Sequence, residues 1–425
     1  MEKKVTAVVL AAGRSKRVNT TLPKVLFELA GRPLIFYILE TLFSLKRWVE
    51  EVIVILGNQR ENVEEVISKE FKDVRFCYQK ELNGTAKAVE SAKELLEERE
   101  NVLILCGDTP LITVSTLKDF IRFFFKERSD CVILTSVIKK DTDLGRVCRD
   151  QEGKVKEIVE KVEVKKEKGK EKVEVNSGIY CFKREKLFQG LSQIKVNRKK
   201  NEFFLTDIVK IFYNWRYKIS SWEVNDWREI LGVNTQCDFS FVGKCLNERL
   251  LNNLMKKGVR VIDPSTTFVS FNTKIGRDSV IYPFTYIEKN VSIGKNCRIG
   301  PFAHLREDTV IGDNTHIGNF TEVNRCRLGR NVRMKHFSYL GDTIVGNEVN
   351  IGAGTVVANY DGRRKHKTSI EKRAFVGSGT VIVAPCKVGK EAITGAGSVV
   401  TRDVKTKSVV VGVPARMLRK RKGEE

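Results

Sequence analysis

The stretch Ile275-Gly276-Arg277-Asp278-Ser279-Val280 begins a pattern that returns as Ile293-Gly294, Ile299-Gly300, Ile311-Gly312, Ile317-Gly318, Val345-Gly346, Ile351-Gly352, Val376-Gly377 and Val388-Gly389. An aliphatic residue recurs every six positions, and a small residue follows four positions later in many repeats (Ser279, Cys297, Ala303, Thr315, Thr355, Thr380). A strict period of six predicts a triangular solenoid with one short strand per hexapeptide on each face. The aliphatic side chains would stack inside, and Gly would relieve the backbone at the corners. The interval shortens by one residue at two places, Val323 to Leu328 and Leu340 to Val345. The run Asn359-Tyr360-Asp361-Gly362-Arg363-Arg364-Lys365-His366-Lys367 breaks the period altogether. An Asp-Gly turn with basic residues inside a regular solenoid predicts a loop projecting from one face, where function tends to concentrate.

The repeat occupies only the second part of the chain. Eighteen of the 31 glycines follow residue 258, whereas all four tryptophans (48, 215, 222, 227) precede it. The 425 residues accordingly divide into a domain over 1–235, a connecting helix over 236–258, the solenoid over 259–415 and a basic tail over 416–425, expected to fray. Hydrophobic residues at 41% and charged residues at 30% exclude disordered, collagen-like and disulfide-scaffold classes. Lys+Arg 76 against Asp+Glu 53 leaves +23, which favours anionic partners or reflects a Lys/Glu-rich solvated surface. Ten scattered cysteines without a Cys-x-x-Cys pair suit reduced thiols in a cytosolic protein. The four histidines are not spaced as a zinc site. Met1–Lys4 followed by Val5–Ala12 imitates a signal peptide, but Arg14, Lys16 and Arg17 follow at once, which favours a buried first strand. No stretch is long and apolar enough for membrane insertion.

In the first part, apolar runs (Val5–Ala12, Glu51–Leu56, Val102–Cys106, Cys131–Val137, Val175–Phe182) alternate with amphipathic stretches such as Glu61–Phe71 and Thr85–Leu96. That alternation predicts an α/β domain with a mostly parallel sheet. Residues 160–172 form a charge-dense stretch expected to be a solvated loop. The first strand runs into Leu10-Ala11-Ala12-Gly13-Arg14-Ser15-Lys16-Arg17, where small residues let backbone N–H groups approach an anion and Arg17 and Lys24 add fixed positive charge. Gly107-Asp108 ends an apolar strand, placing a carboxylate in the ligand crevice as a natural Mg²⁺ ligand. Gln79 with Asn83-Gly84-Thr85 supplies amide edges suited to reading a base. Asn176 and Asn234 end or follow strands, where Asn is otherwise a turn former.

These motifs, with Gly145-Arg146, Ile158-Val159-Glu160, Asn176-Ser177-Gly178, Phe204-Leu205-Thr206-Asp207 and Gly232-Val233-Asn234, resemble those of sugar-1-phosphate nucleotidyltransferases. Joined to Gly300-Pro301-Phe302-Ala303, Arg306, Gly318-Asn319-Phe320, His336…Tyr339-Leu340-Gly341-Asp342, Asn350–Thr355 and Asn359–Gly362, the whole chain is similar to the bifunctional GlmU family. The resemblance implies a Rossmann-like nucleotidyltransferase domain followed by a left-handed parallel β-helix of hexapeptide repeats. It implies acetylation of glucosamine-1-phosphate by acetyl-CoA, then Mg²⁺-dependent uridylyl transfer from UTP. It also implies a homotrimer, a cytoplasmic location, sugar phosphates and nucleotides as partners, and no nucleic acid. By the same resemblance Arg17 and Lys24 stabilise the triphosphate and Asp108 and Asn234 hold Mg²⁺. Leu10, Ala11, Ala12, Gly13 and Gly107 line the nucleotide, Gln79, Gly84 and Thr85 read uracil, and Gly145, Glu160 and Asn176 bind the sugar. In the solenoid His336 is the implied general base. Arg306, Asn324, Tyr339, Asn350 and Lys365 hold the phosphosugar, and Ala353, Asn359, Tyr360, Ser378 and Ala396 contact acetyl-CoA.

Four departures from the family pattern stand out. The family loop Gly-x-Gly-Thr-Arg reads Gly13-Arg14-Ser15-Lys16-Arg17 here, which brings a Cβ and a long cation beside the triphosphate. The family Lys of the sugar-phosphate pocket falls at Asn324, with Arg325 and Arg327 as possible substitutes, and the basic residue near Gly412 is replaced only by Arg416. The stretch from Asp263 to Arg306 is shorter by a coil or two. Two other readings of the architecture are a monofunctional sugar-nucleotide pyrophosphorylase with an oligomerising solenoid and a non-catalytic scaffold of the kind found in the eukaryotic translation-initiation exchange factor. His336, Asn350 and the Asn359–Lys367 loop weigh against the first, and retention of Arg17, Lys24, Asp108 and Asn234 weighs against the second.

Overall fold

A computed structural model describes residues 3–13, 20–57, 59–138, 144–160, 172–197 and 201–420. The chain divides into two compact units, Met1–Gly243 and Lys244–Glu425, and the division falls inside a long helix, Gln236–Lys256.

In the first unit seven strands carry the main sheet: β1 (Val5–Ala11), β2 (Val49–Leu56), β3 (Val74–Tyr78), β4 (Asn101–Cys106), β5 (Cys131–Ile138), β6 (Val173–Lys183) and β7 (Ile219–Glu223). Their order is β7-β5-β6-β4-β1-β2-β3. All neighbours are parallel except β6, which runs antiparallel to both β4 and β5. Apolar residues cover both faces of the central strands: Val5, Ala7 and Val9 of β1 enter one buried cluster and Val8 the other. A strand buried on both sides has no solvent face to alternate with, which explains its continuous apolar sequence. The carboxyl ends of β1 and β4 therefore lie side by side, tied by the Gly107 N–H donating to the Leu10 carbonyl at 2.9 Å. The expected loop over 160–172 falls almost wholly outside the described residues.

The second unit is a left-handed parallel β-helix. Its strands stack in three sheets, and partners in adjacent coils lie 18 residues apart, as in Val280↔Arg298↔His316. The two shortened intervals are coils of 17, as in His316↔Arg333↔Asn350. Asn350 then pairs with Phe375, so the break in period is a loop inserted between two otherwise regular coils. From Ile275 through Ile281, Ile317 and Leu340 to Val388, the repeat's aliphatic residues form one continuous buried column.

The corners differ from expectation. The left-handed backbone positions recur every six residues; in the early coils they are held by Asn272, Asp278, Phe284, Asn290, Asn296, Phe302, Asp308 and Asn314, and glycines take them only later, at Gly354, Gly379 and Gly397. Asn and Asp tolerate this conformation because their short polar side chains bond locally. The glycine after each aliphatic residue answers a different need: a Cβ on Gly276 would lie 2.7 Å from the carbonyl of Gly294 in the next coil. The tail also departs from expectation. Arg416–Lys420 does not fray but forms an exposed strand antiparallel to Ser408–Val411. The open edge of the last coil offers unpaired backbone groups, and the returning chain satisfies them.

Candidate functional site

Two groups of polar side chains stand apart, one in each unit. In the first, Lys24 lies in a 3-10 turn, Lys24–Leu26, that follows Pro23. Its ammonium donates to the Asp108 carboxylate and, at 3.1 Å, to Asn234 Oδ1. Asp108 comes from the end of β4. Asn234 reaches it because the Val233 N–H donates to the Asp108 carbonyl at 2.9 Å. Asn234 in turn is fixed by the start of the long helix. The Asn234 and Thr235 N–H groups donate to Asp238 Oδ2 at 3.0 and 2.8 Å, and the Asp238 N–H donates to Thr235 Oγ1 at 3.1 Å. Thr235-x-x-Asp238 is a reciprocal cap legible in the sequence, although the reading above did not use it. Asp108 and Asn234 thus direct two oxygens at one cation, a hard-donor pair that fits Mg²⁺. No cluster of three or more His, Cys, Asp or Glu able to hold a metal occurs among the described residues. The neighbouring Cys106 thiol is pushed up to about 12, by burial first and by the Asp108 carboxylate second, so it stays protonated and is no nucleophile at neutral pH.

Around this cluster, the Gln79 amide donates to the Gly84 carbonyl at 3.2 Å, and Thr85 Oγ1 accepts the Leu205 N–H at 3.0 Å. Gly84 has φ +122°, and a Cβ there would collide with the Phe203 backbone, so the position requires glycine. The Asn176 N–H donates to the Gly145 carbonyl at 2.8 Å. Asn176 is buried, its Nδ2 donating to Tyr180 at 2.7 Å and its Oδ1 accepting from the Gly178 N–H at 3.1 Å. Glu160 accepts from Thr206 Oγ1 at 2.9 Å and lies 3.6 Å from where a Gly145 Cβ would stand. Gly145, Glu160 and Asn176 are therefore brought together, as are Lys24, Asp108 and Asn234. Leu10, Ala11, Ala12 and Gly13 sit at the end of β1 next to Gly107, whereas Arg17 lies outside the described residues.

In the β-helix, the strands His316–Asn319 and Arg333–His336 pair in register so that Asn319 faces His336. His336 Nδ1 lies 3.2 Å from Asn319 Oδ1, which can only accept; Nδ1 then carries the proton and Nε2 the free lone pair. Glu322 and Tyr339 are direct strand partners. Arg306 donates to Glu322 at 3.1 Å and lies 3.8 Å from Glu288, which also holds His304 at 2.8 Å. The Nε of Arg306 is buried without a hydrogen bond. Ala353, Ser378 and Ala396 stack in successive coils, since Gly379 N–H donates to the Ala353 carbonyl at 2.7 Å and Gly397 N–H to the Ser378 carbonyl at 2.8 Å. They form a column of small side chains, and Asn350 starts the strand beside it.

The inserted loop is anchored by a network absent from the sequence reading. Arg325 grips Asp342 through two bonds of 2.8 Å and donates to Asn324 Oδ1 at 3.0 Å. Asn359 donates to Asp342 at 2.6 Å. Asn324 and Asn359 are both buried and committed here, whereas Tyr360 and Lys365, which bridge each other, project with the loop. The Arg325 guanidinium holds the Asp342 carboxyl below the usual carboxylate range. A carboxyl whose folded value is depressed contributes stability above its unfolded value, about 4, and loses it as pH falls through the folded value. Asp342→Asn is expected to lower β-helix stability at neutral pH and to flatten its loss below about pH 4, read by urea unfolding across pH. Equal slopes for both proteins would contradict the role of this pair.

Residues 6–230 match the nucleotidyl transferase family model, and residues 272–307 and 290–325 match that of the bacterial transferase hexapeptide (six repeats). A protein of Thermosipho africanus (strain TCF52B) named "Bifunctional protein GlmU" is 38% identical over 438 residues, with 95% of this chain and 94% of the relative covered. A protein of the same name from Thermosipho melanesiensis is 39% identical over 440 residues, with the same coverage. A third from Heliobacterium modesticaldum is 38% identical over 444 residues, covering 96% of this chain and 95% of the relative.

Proposed function

Because the chain belongs to the GlmU family, we propose that its two side-chain groups are the two reaction centres of one sugar-nucleotide enzyme. The protein is a bifunctional enzyme of UDP-N-acetylglucosamine synthesis with uridylyltransferase and acetyltransferase activities. What supports the assignment of sites is that the two residue sets fall in separate compact units.

In the first unit, a phosphate oxygen of N-acetylglucosamine-1-phosphate attacks the α-phosphorus of UTP, and the bond to the leaving pyrophosphate breaks. Such transfer needs positioning and charge neutralisation more than proton shuttling. Lys24, steadied by Asp108 and Asn234, supplies fixed positive charge at the ends of β1 and β4, with Arg17 as a second cation. Asp108 and Asn234 would hold Mg²⁺, which when bound neutralises phosphate oxygens. Gln79, Gly84 and Thr85 face the base, and Gly145, Glu160 and Asn176 the sugar. Full-length protein is expected to gain thermal stability with UTP and Mg²⁺ together, by about 2.7 kcal/mol at a hundredfold excess over Kd. No shift, or a shift indifferent to Mg²⁺, would count against this site.

In the second unit, His336 Nε2 takes a proton from the amine of glucosamine-1-phosphate as the nitrogen attacks the thioester carbon of acetyl-CoA, releasing the thiol. Asn319 orients His336. Arg306, Tyr339, Asn350 and Lys365 hold the phosphosugar, with Arg325 standing near Asn324 where the family has Lys. The small-residue column of Ala353, Ser378 and Ala396, together with Tyr360, takes acetyl-CoA. A homotrimer built on the flat faces of the solenoid fits this fold. Among the described residues no helix is long and apolar enough to cross a membrane. We place the enzyme in the cytoplasm, where UTP and acetyl-CoA are at hand and its ten free cysteines stay reduced.

A further inference from the structure

A cavity of about 470 Å³ opens where β1, β4 and β5 begin and the antiparallel β6 ends, at the edge of the sheet opposite Lys24 and Asp108. Five cations line it, Lys3, Arg99, Arg128, Lys183 and Arg184, against two carboxylates, Glu100 and Glu185. Arg99 is committed to Glu51 at 3.0 Å and Lys183 to Asp130 at 2.9 Å, and Glu185 accepts from Gln189 at 3.0 Å. Lys3, Arg128 and Arg184 make no side-chain hydrogen bond or ion pair among the described residues.

Arg184 has no local reason to be a cation, and Arg128, whose charge suits its helix C-terminus, holds a left-handed backbone that disfavours Arg. Arg128 caps the C-terminus of the helix Val114–Glu127 with φ +52°, a left-handed position that Gly or Asn would hold with less strain. Arg184 is the first residue of the helix Arg184–Leu191, where a cation opposes the helix dipole, and the N-cap, Lys183, makes no side-chain cap. Positions that break local rules without a compensating contact mark functional sites. Converging unpaired cations in a concave site raise the local concentration of anions, and arginine is suited to phosphate oxygens. Phe125 adds an apolar wall, its ring 5.2 Å from that of the buried Phe124.

The geometry points to a second anion site in this unit, remote from the nucleotidyl-transfer centre, that takes a small phosphate-bearing metabolite through Lys3, Arg128 and Arg184. The probe is inorganic tripolyphosphate, titrated calorimetrically into the full-length chain. Arg128→Asn with Arg184→Gln removes both guanidinium groups while keeping a residue that accepts the left-handed cap. Arg122→Gln with Lys126→Gln removes the same amount of charge from the helix Val114–Glu127, at positions that do not line the cavity. The first variant is expected to bind one anion fewer per chain, or that anion at least tenfold more weakly, while keeping wild-type uridylyl transfer and thermal stability. The second is expected to bind as the wild type does. Equal losses in both variants, or a loss in neither, would overturn the site.

Discussion

Asp108→Ala is expected to lower uridylyl transfer on the order of 10²–10³-fold or more while leaving acetylation of glucosamine-1-phosphate unchanged. Asp108 contributes a carboxylate oxygen at the end of β4 and also holds the Lys24 ammonium, which Asn234 then retains alone among the partners described above. The substitution removes the charged member of the proposed metal pair and loosens the cation that faces the triphosphate, so both losses act on charge developing in the same transition state. Asp108→Asn keeps the shape and the link to Lys24 but not the charge, and should lose activity nearly as far. Separate assays of the two half-reactions, with thermal unfolding as the folding control, check the result. Loss of both activities from folded protein would contradict the division of labour between the two units.

His336→Ala should do the reverse, lowering acetyl transfer about 10²–10⁴-fold, as expected for removal of a positioned general base. Uridylyl transfer should not change. His336 is exposed and, among the described residues, its side chain bonds Asn319 alone, so its loss should cost the fold little, within about 0.5 kcal/mol. Kinetic parameters separate a base from a merely structural residue: kcat for acetyl transfer should fall while the KM for glucosamine-1-phosphate and the thermal stability stay near wild type. A raised KM with kcat unchanged would assign the proton transfer to another group.

Much of this molecule could be read from its sequence because the signals are periodic. The buried column from Ile275 to Val388 follows from a six-residue interval, and the two coils of 17 appear as the two shortened intervals. The strands ending at Ala11 and Cys106 show as apolar runs, and their ends place Gly13 and Asp108. What was missed depends on contacts between coils. The glycine-corner reading holds at Gly354, Gly379 and Gly397 but not in the early coils, where Gly276 and its equivalents are selected by the neighbouring coil's backbone and Asn, Asp and Phe take the left-handed turns. The Arg325–Asp342–Asn359 network joins residues 17 positions apart, one short coil each, so only the exact register reveals it. The strand at Arg416–Lys420 carries a basic sequence that reads as a solvated tail, and only the open edge it finds makes it a strand.

The central claim is that one chain carries both half-reactions. It is tested most directly by incubating purified protein with glucosamine-1-phosphate, acetyl-CoA, UTP and Mg²⁺ and resolving the products by mass. UDP-N-acetylglucosamine with pyrophosphate and free CoA is the expected result. N-acetylglucosamine-1-phosphate alone would show that the Gly13–Arg17 loop no longer supports transfer from UTP, and the absence of any product would contradict the account of both sites.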